Sequence, residues 1–157
     1  MAYSSAVAGP NGIRITKVEV KAPTKGVMTV AALDEEQLGV VFDTNEDGFE
    51  VLELTDRGAK MNVPELVYGE KVVLGESMLL PAGVTEYVVN IYYERVKGDV
   101  TIKDVYSASM GLPSGRVFEA GIQYDINIKF YDFHEVLLTI NYSSWTGGGD
   151  VELDSEE

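Results

Sequence analysis

The chain lacks cysteine altogether and contains a single histidine among its 157 residues. Without cysteine it can form no disulfide, no thiolate nucleophile and no cysteine-based zinc site, so its stability must come from packing. The histidine, His134, lies at a turn with no second candidate ligand nearby in the sequence, and we expect a surface or turn residue. No Gly-x-Ser-x-Gly motif places a serine on a constrained turn, and no glycine-rich phosphate loop precedes a helix. We therefore expect the protein not to be an enzyme.

Basic side chains are also scarce. Twelve Lys and Arg residues stand against 26 Asp and Glu, which gives a formal net charge of −14 at pH 7. Such a charge repels nucleic-acid phosphates, so nucleic-acid binding is not expected. No apolar run reaches the ~20 residues of a membrane-spanning helix, and we expect no transmembrane segment.

Helical periodicity is nearly absent, whereas alternation of apolar and polar residues dominates the chain. Seven to nine strand-like runs follow one another at roughly 10–15-residue spacing with turn residues between them, which predicts an all-β fold. The arrangement expected is a two-sheet antiparallel β-sandwich of the immunoglobulin-like kind. A length of 157 residues fits one such domain. We place the domain at residues 12–146, between a flexible N-terminal arm (1–11) and a glycine hinge with an acidic strand or tail (147–157).

Several strands of the first half are defined by their alternation. Its phase breaks at Thr16-Lys17, which predicts a β-bulge inside the first strand. A second strand is predicted at residues 26–32. Residues 38–44 and 49–54 flank Asp47-Gly48, whose glycine can adopt the positive φ of a tight turn, so we predict that they form a hairpin. Residues 55–75 are rich in breakers and are predicted to be a long connection with one short strand at most.

The second half has stronger β patterns. Residues 86–94 are rich in β-branched and aromatic side chains, which predicts a central strand. A turn leads into a strand at 100–106, and residues 107–116 are predicted to be a loop. Residues 124–130 and 136–142 are predicted to pair as a closing hairpin, with Ile126, Ile128 and Phe130 on one face.

One acidic turn resembles the start of a calcium-binding loop. Asp43, Asn45 and Asp47 alternate before Gly48 as in D-x-[DN]-x-[DN]-G, whose oxygens wrap a hard cation. The twelfth position, which requires a bidentate glutamate, is Leu54, and both flanks are strand-like. An acidic hairpin turn therefore accounts better for the pattern. No cofactor is expected, and a low-affinity calcium site at these three residues is the alternative.

The C-terminal segment has the pattern of a detachable strand. Three glycines, Gly147, Gly148 and Gly149, precede an alternation in which Val151 and Leu153 are separated by carboxylates. One face could dock on a sheet while the other stays in water. Two readings stay open: the segment is the last edge strand of its own domain, or it adds to the open sheet of a neighbouring subunit.

The residues near this end also carry a family resemblance. The block Phe118-x-x-Gly121-x-x-Tyr124-x-Ile126-x-Ile128, followed by a second strand and then Trp145 before a Gly/Asp-rich end, resembles the C-terminal signature of fimbrillin-like surface proteins of the Bacteroidales. Leu80-Pro81 upstream is similar to an "l-P" of that family, and the similarity extends over residues 12–154. It implies a transthyretin-like sandwich that is a subunit or tip component of surface fimbriae, polymerised by strand exchange. The expected partners are copies of itself or other structural subunits.

The chain departs from that family in having one domain and no lipoprotein signal with its cysteine. If it is a trimmed fimbrillin, its location is the cell surface. If Met1 is the native start, the alternative is a phage virion protein, a capsid decoration or fibre-base component made in the host cytoplasm. A third reading is a glycan-binding module whose partner is a glycan or a host surface receptor, because nine tyrosines and Trp145 could stack on sugars.

Overall fold

The structure is a computed structural model that describes residues 3–4, 12–29, 39–43, 45–61, 63, 65–67, 69–132 and 134–144. It is mostly strand with almost no helix, which confirms the all-β prediction. Twelve strands lie in the described residues, four of them only two residues long. In chain order they are β1 (Tyr3–Ser4), β2 (Ile13–Pro23), β3 (Gly26–Thr29), β4 (Gly39–Phe42), β5 (Phe49–Glu53), β6 (Thr55–Asp56), β7 (Ala59–Lys60), β8 (Val72–Val73), β9 (Glu86–Lys97), β10 (Val100–Gly111), β11 (Ile122–Asp132) and β12 (Glu135–Ser144).

The largest sheet has four antiparallel strands in the order β10-β9-β2-β5. β9 lies inside this sheet, which confirms the central strand predicted from its β-branched and aromatic residues. β2 is one continuous strand whose register against β9 shifts between Ile15 and Lys17, which confirms the predicted bulge. The bulge turns Ile15 and Val18 to the same, buried side. The apolar residues before and after it therefore face the core together.

The β11-β12 hairpin forms the second layer. Its strands pair antiparallel as predicted, and Ile128 and Phe130 are buried on one face. The Phe130 ring meets the Tyr93 ring of β9 edge-on, with centroids 5.0 Å apart. The hairpin therefore packs on the four-stranded sheet, and the arrangement is consistent with the predicted β-sandwich.

The predicted hairpin of residues 38–44 and 49–54 is wrong in its pairing. β4 pairs with β3, and β5 pairs with β2. The pairs Pro23↔Phe49 and Gly26↔Phe42 follow one another, so β2 with β3 and β4 with β5 make one long ribbon. Only residues 24–25 connect β2 to β3, whereas residues 43–48 connect β4 to β5. The longer connection therefore loops out of the ribbon.

The glycine of this loop was also assigned the wrong role. Gly48 ends a 3₁₀ turn (Glu46–Gly48) and is not among the glycines with positive φ. Glycine is required there for a different reason, since a Cβ would lie 2.4 Å from the backbone oxygen of Asp43. The loop doubles back on itself too closely for any side chain.

Three further predictions need correction. The loop predicted at 107–116 is strand as far as Gly111, because β10 continues to pair with the start of β9. The connection at 55–75 contains a β6-β7 hairpin and β8 rather than at most one short strand. β8 pairs with β1, so two residues of the predicted N-terminal arm form a strand. β3 is described only to Thr29, and Trp145, Gly147, Gly148, Gly149, Val151 and Leu153 lie outside the described residues.

Candidate functional site

A cleft of about 720 Å³ opens between the four-stranded sheet and β11. Most of its lining comes from four parts of the fold: the inner faces of β2, β5 and β9, the inner face of β11, the segment between β8 and β9, and the loop before β11. Glu119 is the one charged side chain among the described residues that line it. Its apolar lining residues include Val18, Val20, Leu52, Leu74, Met78, Leu80, Val89, Tyr124, Ile126 and Ile128.

The described residues of the family-like block meet at this cleft. Phe118, Gly121, Tyr124, Ile126 and Ile128 all line it. Period-2 alternation explains the last three, because it turns every second side chain of β11 toward the four-stranded sheet. Gly121 has φ of +72° in the turn that leads into β11, a conformation that favours glycine. The block therefore builds one wall and one end of the cleft.

Aromatic contacts hold that end together. The Phe118 ring lies 4.8 Å from the Tyr124 ring and 4.9 Å from the Tyr87 ring, centroid to centroid. The Tyr124 hydroxyl accepts a hydrogen bond from the Glu119 backbone N–H at 2.9 Å. Phe118 itself is buried. Such edge-on and tilted contacts are the favoured geometries of ring pairs.

The segment before β9 is bound to the same cluster. The Phe118 N–H donates to the Val84 carbonyl, and the Gly83 N–H donates to the Phe118 carbonyl, both at 2.8 Å. The Tyr87 hydroxyl donates to the carbonyl of Pro81. Burial raises the pKa of Tyr87 to about 12, with the nearby Tyr124 adding a smaller effect. The Leu80-Pro81 pair is thus part of the cleft rather than a separate turn.

The calcium candidate lies in the loop at 43–48. Asp43 Oδ1 accepts hydrogen bonds from the Asn45 backbone N–H at 2.9 Å and from Asn45 Nδ2 at 2.7 Å. The Lys25 ammonium donates to the Asp47 carbonyl at 2.8 Å. No group of three His, Asp or Glu side chains in the described residues is placed to hold a metal ion. Calcium binding at Asp43, Asn45 and Asp47 stays a prediction.

The outer face of the four-stranded sheet carries an internally paired polar cluster around Glu19. Glu19 and Glu53 lie directly opposite each other, a repulsive arrangement. Lys17 relieves it, with Nζ 2.6 Å from the Glu19 carboxylate and 4.0 Å from the centroid of the Tyr92 ring, while the Tyr92 hydroxyl donates to Glu19 at 2.9 Å. The hydrogen bond with Lys17 lowers the pKa of Glu19, and the hydrogen bond with Glu19 raises that of Lys17.

The tyrosines do not gather into one exposed strip in the described structure. Tyr87 and Tyr93 are buried, and one face of Tyr92 is covered by Lys17. Tyr131 and Tyr142 are exposed, but Tyr142 pairs with Tyr124, seven residues before Tyr131. At ~3.3 Å per residue they are roughly 20 Å apart along the hairpin. This distribution does not favour stacking on a sugar chain.

His134 is exposed at the β11-β12 turn, as predicted, with Nδ1 3.4 Å from Asp104 Oδ2. Within the part of the chain that the structure describes, no helix has the length and hydrophobicity needed to cross a membrane. Comparisons with protein-family models, with curated proteins and with solved structures find no match for this chain.

Sequence reasoning identified the β11 wall but missed the part between β8 and β9. Leu74 is almost fully buried, and Met78 and Leu80 pack against the core. These residues belong to no regular strand, so no periodicity marked them. Apolar residues recurring at Leu74, Met78 and Leu80 in a segment with few charges were the available signal.

Proposed function

We propose that the protein is a non-enzymatic structural and adhesive subunit, resembling a fimbrillin, that assembles into surface fimbriae through β-strand contacts between chains. The observation that carries the proposal is the apolar cleft between the two layers. Its lining is the inner surface of the sandwich, which folded domains ordinarily cover. A strand placed beside β11 would cover it and would pair its backbone at the same time.

The C-terminal segment is the strand we assign to this role. It alternates Val151 and Leu153 with carboxylates, which suits a strand with one face on the cleft and the other in water. β12 ends at Ser144, whose partner Ile122 lines the cleft, so the described part of the chain ends beside the cleft. From Ser144 to Leu153 an extended chain spans up to ~30 Å, enough to reach an adjacent copy.

The absence of cysteine makes a direct test of this contact simple. A single cysteine replaces Leu153 in one preparation and Ala120, an exposed turn residue at the cleft, in another. Mixing the two preparations under oxidising conditions can form only disulfides between chains. We expect a Leu153→Cys to Ala120→Cys heterodimer on non-reducing gels.

The matched control is Asp99→Cys at the exposed β9-β10 turn, which is not part of the cleft lining. It should form markedly less heterodimer with Leu153→Cys. Light scattering should also show smaller assemblies after Val151→Asp with Leu153→Asp, but not after Asp150→Asn with Glu152→Gln. Equal crosslinking at positions 120 and 99, or assemblies unchanged by deletion of residues 150–157, would contradict the proposal.

A further inference from the structure

Six consecutive residues between β8 and β9 form one wall of the cleft. Residues 77–82 all line it, although they belong to no strand. The first four already alternate as a strand does, since Met78 and Leu80 pack against the core whereas Ser77 and Leu79 are exposed. The wall is therefore extended in the manner of a strand but pairs with no described strand.

Backbone hydrogen bonds hold this wall at both ends. The Glu76 N–H donates to the Thr55 carbonyl at 2.9 Å, and the Gly83 N–H donates to the Phe118 carbonyl at 2.8 Å. Between them, residues 77–82 make no backbone–backbone hydrogen bond with another described residue. An extended backbone of this kind is what an added strand can pair with.

Pro81 limits the stretch that can pair. It has no N–H, and its carbonyl already accepts a hydrogen bond from the Tyr87 hydroxyl. Residues 77–80 therefore provide the donors and acceptors that remain. We call these four residues the strap.

The strap brings no charge of its own to an incoming acidic strand, because none of its four side chains is charged. Glu76, which precedes it, accepts hydrogen bonds at 3.1 Å from the Thr55 hydroxyl and from the Gly58 N–H. Glu119, at the end of the cleft, forms a salt bridge of 2.8 Å with Arg116. Both carboxylates thus have donors of their own.

We propose that the donated C-terminal strand lies between β11 and the strap, and that the strap becomes a strand by pairing with it. This rests on the proposed function and deepens it, because the docked strand gains a backbone partner on each side. Among the described strands, β11 forms a ladder with β12 alone. The alternation of residues 150–153 is as long as the strap. Its two apolar side chains then face the core together with Met78 and Leu80.

The test uses the full chain carrying Val151→Asp and Leu153→Asp, so that it does not donate its own strand, and a synthetic peptide with the native sequence of residues 147–157. Amide hydrogen exchange is followed by NMR without and with the peptide. We expect two alternate amides of the strap, either 77 and 79 or 78 and 80, to exchange at least ~10-fold more slowly in the complex. Neighbouring N–H groups of a strand point to opposite edges, so a ladder protects every second one.

The control peptide carries Val151→Asp and Leu153→Asp, and should protect neither the strap nor β11. The amide of Val67, which is exposed and not part of the cleft lining, should not change with either peptide. Protection in β11 with none in the strap, or equal protection of all four strap amides, would overturn the inference and leave the proposed function standing. No protection in either segment, together with no crosslink between positions 153 and 120, would overturn both.

Discussion

The Phe118 ring packs edge-on against the Tyr124 ring, with centroids 4.8 Å apart and ring planes at 73°. Both residues belong to the family-like block, and their contact joins the loop before β11 to β11 itself. The Tyr87 ring lies on another side of Phe118, at 4.9 Å. The buried Phe118 ring thus connects its own loop, which precedes β11, to β9 and to β11 at the end of the cleft.

Removing that ring should be costly. Phe118→Ala is expected to lower the free energy of unfolding by about 3–5 kcal/mol, since it deletes a buried ring and leaves a cavity. Tyr142→Ala is the matched control, because Tyr142 lies on the same aromatic cluster but is 58% exposed. It should cost less than ~1 kcal/mol. Urea unfolding measures both, and an equal loss for the two variants would show that Phe118 is not a core residue.

Alkaline pH should destabilise the protein through Tyr87. Burial raises the pKa of its hydroxyl from 10.0 to about 12 in the folded state. The stability that this contributes is complete below pH ~10 and is lost between pH ~10 and ~12, where the unfolded chain ionises first. The expected loss is about 2 kcal/mol. This is less than two pKa units would give at full burial, because Tyr87 lines the cleft, where solvent screens the charge. Tyr87→Phe should show a correspondingly shallower decline, and parallel curves for the two proteins would contradict this.

The carboxylate of Glu19 should titrate at lower pH than an ordinary glutamate. Its hydrogen bond with Lys17 lowers its pKa, so its contribution to stability is present above the unfolded pKa and is lost as the pH falls through the folded one. Lys17→Met should move the pKa of Glu19 upward in a carboxyl-resolved NMR titration. Lys60→Met serves as the control and should leave it in place. An unchanged Glu19 pKa in Lys17→Met would show that Lys17 is not the cause of the lowered pKa.

Two glycines should respond differently to the same pair of substitutions. Gly121 has φ of +72° and open space where a Cβ would be, so alanine should cost about 1 kcal/mol and asparagine less, because asparagine tolerates the left-handed region better. Gly48 has no positive φ but lies against Asp43, so both substitutions should cost about 1–3 kcal/mol. Thermal unfolding measures the four variants. Rescue by asparagine at position 48 would show that backbone conformation, rather than close approach, requires that glycine.

Local patterns predicted the features that depend on a strand's own residues. The bulge at Thr16-Lys17 was predictable because Ile15 and Val18 are three residues apart and would face opposite sides of a regular strand. An extra residue between them is needed to place both on one face. The apolar face of β11 followed from alternation for the same reason. The block from Phe118 to Ile128 was singled out for a family resemblance, which stays a prediction, and the sequence did not show that its residues line a cleft.

Strand pairing and strand ends were harder to predict from the sequence. β10 runs to Gly111 because the start of β9 offers it a partner, and its Ser107 and Ser109 hydroxyls donate to Asn90 and Glu86 of that strand. Nothing within residues 107–111 signals this. Likewise the Asp47-Gly48 dipeptide is typical of a hairpin turn, yet its flanking strands pair elsewhere.

The sequence by itself determined that this is an all-β chain, where β2 bulges and which face of its closing hairpin is buried, because side-chain alternation and β-propensity act between near neighbours. Only the tertiary structure decided which strands pair, that the ribbon of β3 and β4 extends beyond the sheet, and that apolar residues of β2, β9, β11 and the segment before β9 surround one cleft. The physical reason is that pairing and cavity formation depend on free energies shared between residues far apart in the chain, where backbone groups and apolar surface find their partners.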